Sequence, residues 1–255
     1  MSIIYDTRSL LIRYLTKLIR NPTLLATNLL TPLLFLVLFS QLLTGFGSFL
    51  PNSPGGYLAY LTPGVVLLSA LFAAPLGGVS IVNDLNSGFL SKLLLTQVSR
   101  PAILLGRLVT DMLVVILQAV VTLVAGIALG VTISSGLPGV LLILLTVAFF
   151  EFALTGIFLY VGMKTRKTET VSALSGVLFF PLIFVSSAMF PVSFFPSWAQ
   201  TVSRYNPVSY ASDVTRSLVT GGFDLGTLAT AFLMIGAIAV VTFTATLYQF
   251  RKVVN

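Results

Sequence analysis

The chain of 255 residues contains no cysteine and no histidine, and only 8% of it is charged. Without cysteine there are no disulfides, no thiolate nucleophile and no zinc site built on Cys and His. Without histidine a His-based catalytic triad is excluded. No GxxxxGK[ST] phosphate loop occurs, so any ATP this protein uses is bound by another polypeptide. A water-soluble domain carries about 25% charged residues. Here 56% of residues are hydrophobic, and such a chain buries its apolar surface in lipid and in helix contacts.

The charge that is present is unevenly placed. The net charge is +7. Once the apolar stretches are laid across a bilayer, twelve of the fourteen Lys and Arg residues fall on one side, leaving Arg204 and Arg216 on the other. Positive residues in short loops stay cytoplasmic. The asymmetry predicts a multi-pass protein of the plasma (inner) membrane with both termini in the cytoplasm. Membrane orientation and anionic lipid headgroups account for the positive charge, and no basic stripe with interleaved aromatics points to nucleic acid. Charged residues run through to Arg20 with no short apolar core and cleavage site, so no cleavable signal is expected.

These patterns predict an all-α integral membrane protein with six transmembrane helices, at about 22–44, 58–83, 107–133, 138–162, 170–190 and 225–249. Residues 5–20 read as an amphipathic helix in the cytoplasmic interface. Arg13, Lys17 and Arg20 share one face and Leu11, Tyr14, Leu15 and Leu18 the other. Pro32, Pro75 and Pro181 lie inside spans one, two and five, where each removes a backbone hydrogen bond and favours a kink. The turn-rich, uncharged stretch 45–57 reads as an external loop. After the second span, residues 84–107 are too polar to cross the membrane, and Phe89, Leu90, Leu93 and Leu94 mark a short helix at the cytoplasmic surface. Residues 191–224 are too aromatic for a plain loop. They read as two short external helices, a re-entrant hairpin broken at Asn206-Pro207, with Trp198 and Tyr210 suited to the interface.

A few polar residues stand out. Glu151 lies near the middle of the fourth span, where a carboxylate must be protonated, paired or facing water. Gln118 and Thr122 of the third span are its expected partners. A cavity-lining role and a structural interhelical bond both remain open. Asp111, one turn past Arg107, reads as an i, i+4 pair. Asp84 and Glu169 read as solvated or capping residues. Gly126 and Gly130 permit close backbone approach, most simply within the bundle. Asp213 and Arg216 share a face of the second external helix and read as a salt bridge.

The runs Ser187-Ala-Met-Phe-Pro191, Phe195-Pro196-Ser-Trp198 and Asn206-Pro207-Val-Ser-Tyr210-Ala-Ser-Asp213-Val-Thr-Arg216 resemble the last third of ABC-2 type transporter permeases of the drug-resistance, nodulation and polysaccharide-export kinds. Leu94-Leu95-Thr96-Gln97-Val98-Ser99-Arg100-Pro101 resembles that family's segment after the second span. Gly88 is kept there, Ser91-Lys92 stand in place of the usual acid and Gln97 in place of the usual proline. The resemblance implies a single ABC-2 type transmembrane domain over 1–255. Such a subunit works as a homo- or heterodimer with two copies of a separate ABC ATPase. ATP and Mg sit on that partner, and no cofactor is bound directly. The resemblance also places the coupling helix at 86–98, with Gly88, Phe89, Lys92, Leu93, Leu94 and Arg100 towards the ATPase. The expected activity is export of a hydrophobic or amphipathic compound, a lipid or a glycan from the cytoplasm. The competing reading is an ion-gradient-driven secondary transporter, which would want paired intramembrane acids. An intramembrane enzyme lacks a nucleophile–base pair.

Overall fold

A computed structural model of the chain describes residues 3–45, 56–95, 98 and 100–254. The expected loop at 45–57 falls largely outside them, as do Thr96, Gln97 and Ser99. The side chains of Lys17, Leu94 and Arg100 are also outside the described set. The described residues form ten α-helices and no strand. In chain order they are α1 (Ile3–Ile19), α2 (Pro22–Leu42), α3 (Gly56–Asn86), α4 (Phe89–Leu94), α5 (Arg100–Ala128), α6 (Gly136–Thr165), α7 (Thr168–Phe184), α8 (Ser197–Ser203), α9 (Pro207–Thr220) and α10 (Leu225–Val254). A 3-10 turn, Val192–Phe194, precedes α8.

Four described helices, α3, α5, α6 and α10, are long and apolar enough to cross a bilayer. Two shorter apolar stretches, Ala26–Leu42 and Thr168–Phe184, accompany them. Helix is the physical consequence of apolar surroundings, because every backbone N–H and C=O must then be satisfied within the segment. At 1.5 Å per residue the 31 residues of α3 extend about 46 Å, past the roughly 30 Å hydrocarbon layer.

α3 is the central helix: almost every residue from Tyr57 to Val82 is buried or half-buried. It packs on α2, α5, α6, α7 and α9. Its closest partner is α6, and two glycines set that approach. A Cβ built on Gly78 would lie 2.6 Å from the Phe158 carbonyl oxygen, and one on Gly162 would lie 2.8 Å from the Gly78 carbonyl oxygen. α10 packs on the far side of α6, where Thr246 donates to the Gly156 carbonyl at 2.8 Å. The outer faces stay apolar and exposed, as Val124 of α5, Leu141 of α6, and Leu233, Val240 and Val241 of α10 illustrate.

Several expected boundaries move. The helix read over 107–133 begins at Arg100 and ends at Ala128, because Pro101 suits a first helical turn and Gly130 has φ 108. The helix read over 170–190 stops at Phe184, one residue past the turn containing Pro181. Residues 186–189 beyond it are buried without being helical. Gly126 packs on Thr62 of α3, so the Gly126–Gly130 pair serves the bundle's own packing at its first member and ends the helix at its second.

Candidate functional site

The chemistry-bearing side chains collect at three levels: a basic end where α1, α4 and the start of α5 meet, a buried middle, and a hairpin end built from α8 and α9.

At the basic end α1 lies against α5. Its buried stripe is Asp6, Leu10 and Tyr14, at i, i+4 and i+8. Of the expected Leu11, Tyr14, Leu15, Leu18 face, Tyr14 is part of this stripe, Leu11 and Leu15 are only half-buried, and the Leu18 side chain lies outside the described set. The stripe rotates because Gly106 of α5 leaves room for Leu10, whose Cβ would be 2.9 Å from a Cβ added there. Arg13 is correspondingly drawn inward. Its guanidinium lies 3.4 Å from the Phe89 ring centroid and 4.0 Å from Asp84. Arg20 stays exposed. Asp84, expected to be solvated, is buried and accepts a hydrogen bond from the Tyr14 hydroxyl at 3.2 Å. Burial, and next the Asp84 charge, push the Tyr14 phenol up to about 12, so it remains a donor across the physiological range. Glu169 is exposed and accepts from Thr168, as a solvated residue does.

α4 is one and a half turns long and starts at Gly88, whose φ is 68. Leu90 is buried in a small core with Ile103, Leu104, Leu159, Met163 and Phe250, and Leu93 packs partly against it. The opposite side is left open: Lys92 is exposed and Leu95 is 89% exposed. A short helix anchored by Leu90 thus offers a charge and an apolar side chain outward at the basic end. Leu95 was not among the residues singled out from the sequence; the signal available was only that Leu90 and Leu93, about one turn apart, mark a different face.

Where the basic end meets the buried middle, Arg107 and Asp111 form a two-point pair, Nε at 2.9 Å and Nη2 at 2.8 Å, and Arg107 Nη1 donates to Ser80 of α3 at 2.9 Å. Glu151 is fully buried. Its partner is Thr155, one turn along α6, whose hydroxyl donates to Oε1 at 2.5 Å. Gln118 and Thr122 do not take that role: Thr122 turns back to the Gln118 carbonyl at 2.8 Å. Glu151 Oε2 and Gln118 Oε1 are left as buried atoms with no hydrogen-bond partner among the described residues. Thr155 lies on the same face of α6 as Glu151, four residues on, so the local partner is within reach without any interhelical contact. Among the described residues no group of three or more His, Cys, Asp or Glu is placed to hold a metal.

At the hairpin end the broken segment after α7 is stapled in place. Asn206 caps α9 by accepting from the Val208 N–H at 3.0 Å. Its amide donates to the Leu182 and Val185 carbonyls at 3.0 and 2.7 Å. Leu182 is in the last turn of α7 and Val185 is its cap residue, and carbonyls at a helix C-terminus have no helical donors. Pro207 takes the first position of α9, where its missing N–H is no loss. Asp213 and Arg216 pair at 3.1 Å, as expected, but both also reach the segment below. Ser187 donates to Asp213 at 2.6 Å, and Arg216 Nη2 donates to the Ser187 carbonyl at 2.6 Å. The Arg216 guanidinium lies 3.7 Å from the ring centroid of Tyr60, whose hydroxyl donates to that same carbonyl at 2.9 Å. Tyr57 donates to the Met189 carbonyl at 3.2 Å. Tyr210 donates to the Arg204 carbonyl at 2.7 Å, closing the turn between α8 and α9. Arg204 itself forms no ion pair among the described residues. Trp198 is 63% exposed.

A bundle of apolar helices with lipid-compatible outer faces, an inward-braced hairpin at one end and an outward-facing amphipathic helix at the other is the build of an integral membrane permease. The ABC-2 type transporter family model matches residues 5–220. The chain is 30% identical over 208 residues to the daunorubicin resistance ABC transporter permease protein DrrB1 of Streptomyces coeruleorubidus, covering 80% of this chain and 72% of that protein. It is 28% identical to the putative transport permease ycf38 of Cyanophora paradoxa, over 81% of this chain and 71% of that one. It is 24% identical to the probable doxorubicin resistance ABC transporter permease protein DrrC of Mycobacterium tuberculosis, over 82% and 75%. The chain belongs to the ABC-2 type transporter family, and is a permease subunit of an ABC transporter.

Proposed function

We propose that this permease exports a hydrophobic or amphipathic compound, lipid or glycan from the cytoplasm, driven by ATP hydrolysed on a separate ABC ATPase. In this reading α2 and α7 join the four long helices as six spans. α1 lies in the cytoplasmic interface, and the α8–α9 hairpin dips into the outer leaflet. The functional unit is two permease chains, alike or different, with two ATPase copies below them. ATP and Mg reside on the ATPase.

The observation that carries the reading is α4. It is rooted in the permease core through Leu90, yet presents Lys92 and Leu95 outward at the end that twelve of fourteen cations place in the cytoplasm. A partner that binds this helix differently in its open and closed states shifts the permease between two states by that difference alone. Because α4 shares a core with α1, α5 and α10, displacement of α4 would be delivered to the bundle as a rigid push. Drug resistance is named for two of the relatives, which favours a small-molecule drug as cargo.

The test is Leu95→Asp, measured in vesicles with the partner ATPase. We expect the purified permease to melt as the parent does, since Leu95 is exposed, while substrate-stimulated ATP hydrolysis and export both fall at least about tenfold, the equivalent of 1.4 kcal/mol of lost coupling. Undiminished export in this variant would remove α4 from the coupling role. Export that persists with a catalytically dead ATPase would favour the ion-gradient alternative.

A further inference from the structure

A cavity of about 310 Å³ lies at the basic end, lined by α1, α2, α3 and α5 of a single subunit. Ligand pockets span about 300–1,000 Å³, so the space suits one small molecule or the head of a larger one. Each helix presents one stripe to it. α3 contributes Ala73, Leu76, Ser80 and Asn83, at i, i+3, i+7 and i+10; α5 contributes Arg107, Asp111 and Val114, at i, i+4 and i+7. From Asn83 to Ala73 the wall runs ten residues, about 15 Å along the helix. The wall is therefore graded along α3 and α5: Asn83, Ser80 and the Arg107–Asp111 pair at one end, Leu76, Ala73 and Val114 at the other.

The charges in the wall cancel, and both are occupied. Arg107 gives two bonds to Asp111 and a third to Ser80. Beside Tyr14, Arg13 lies 4.0 Å from Asp84 and over the Phe89 ring, outside the residues that line the cavity. An anion would have to pull Arg107 from Asp111, and a cation would have to do the reverse. Either leaves a buried charge without its partner, which is costly. The amides are different. Asn28 and Asn83 make no side-chain hydrogen bond among the described residues, and each offers a donor and an acceptor. The Asn28 carbonyl adds to them: its helical donor would be residue 32, and Pro32 has no N–H.

We propose that this cavity is a binding site for an uncharged, hydrogen-bonding head group, hydroxyl- or amide-rich, carried on an apolar body. Asn28 and Asn83 engage the head, and Ala73, Leu76 and Val114 receive the first carbons of the body. The neutral head comes either from a bilayer lipid, such as a glycolipid, or from a soluble amphiphile on its way to export. The site goes beyond the export reading and does not depend on the ATPase.

The absence of cysteine makes a direct test available, since Val79→Cys places a unique thiol in the wall. Its maleimide labelling rate is measured on the purified permease in phosphatidylcholine nanodiscs. Three soluble probes of equal chain length are added below micelle concentration: decyl glucoside, decyl sulfate and decyltrimethylammonium. A second arm incorporates a galactosyl diacylglycerol into the disc. Lipid-facing Val240→Cys is the control for general partitioning. Decyl glucoside at ten times its Kd, or the glycolipid, should slow labelling about tenfold, and the arm that protects names the source. The charged probes should leave the rate unchanged, and adding Asn28→Leu and Asn83→Leu should abolish protection. No protection in either arm, equal protection by all three probes, or protection that survives loss of both amides would overturn the proposal. Because the readout needs neither ATP nor transport, its failure leaves the export reading standing, and failed export leaves the site standing.

Discussion

At the scale of single residues, two polar side chains do more than their sequence neighbourhoods suggest. Asn206 reads as a turn residue before proline, yet its amide satisfies carbonyls at the C-terminal end of α7. Asn206→Ala should destabilise the hairpin by about 2–4 kcal/mol, since a cap and buried carbonyl partners are lost together. Limited proteolysis between α7 and α9 checks it: cleavage should accelerate there while the other helices stay protected. Arg107 is the second case. Removing it leaves Asp111 buried and unpaired, so Arg107→Ala should cost about 3–5 kcal/mol. Arg107→Lys should recover only part of this, because a lysine cannot give the two-point bond or reach Ser80 at the same time. Thermal melting of the three proteins in one detergent measures the order. The i, i+4 pairing was legible in the sequence; the Ser80 contact was not, because it joins residues 27 positions apart on different helices.

At the scale of elements, the α3–α6 contact depends on backbone meeting backbone at Gly78 and Gly162. Gly162→Val inserts a side chain where only about 3 Å is available, and overpacking of this kind costs about 1–3 kcal/mol or separates the helices. A cysteine pair across the crossing, introduced into this cysteine-free chain, should cross-link in the parent and lose that ability in the variant. Most of the helices were legible, because apolar runs of twenty or more residues admit little else. The exception is α7. Its hydrophobic run continues through residue 190, but the chain breaks after Phe184 and folds residues 186–189 under the hairpin. Hydropathy cannot see that break, because the buried non-helical segment is nearly as apolar as the helix it follows. What sustains it is the set of donors brought from elsewhere: Tyr57, Tyr60, Asn206 and Arg216.

At the scale of the whole molecule, the charge asymmetry makes a topological prediction. In intact cells, an impermeant maleimide should label Trp198→Cys, which is exposed on the hairpin, and should reach Lys92→Cys on α4 only after permeabilisation. The reverse pattern would invert the orientation and detach α4 from any cytoplasmic partner. The same asymmetry marks the proposed coupling surface as a region but not as residues. Positive charge locates a loop at one side of a membrane. Which of its apolar side chains turn inward depends on what else is packed there.

Composition and order alone determine that this chain lives in a bilayer as apolar helices, that it lacks a nucleotide loop of its own, and that its polar ends differ in charge. Those are consequences of solvation and of local hydrogen bonding, which every residue carries with it. The tertiary structure decides the rest: that Arg13 turns onto Phe89, that Leu95 faces out while Leu90 faces in, that Glu151 answers to Thr155, and that a neutral-walled cavity opens beside Arg107. Each is a choice between partners far apart in the chain, settled only when close-packed helices, some meeting at glycine, fix which face of each helix its neighbour can cover.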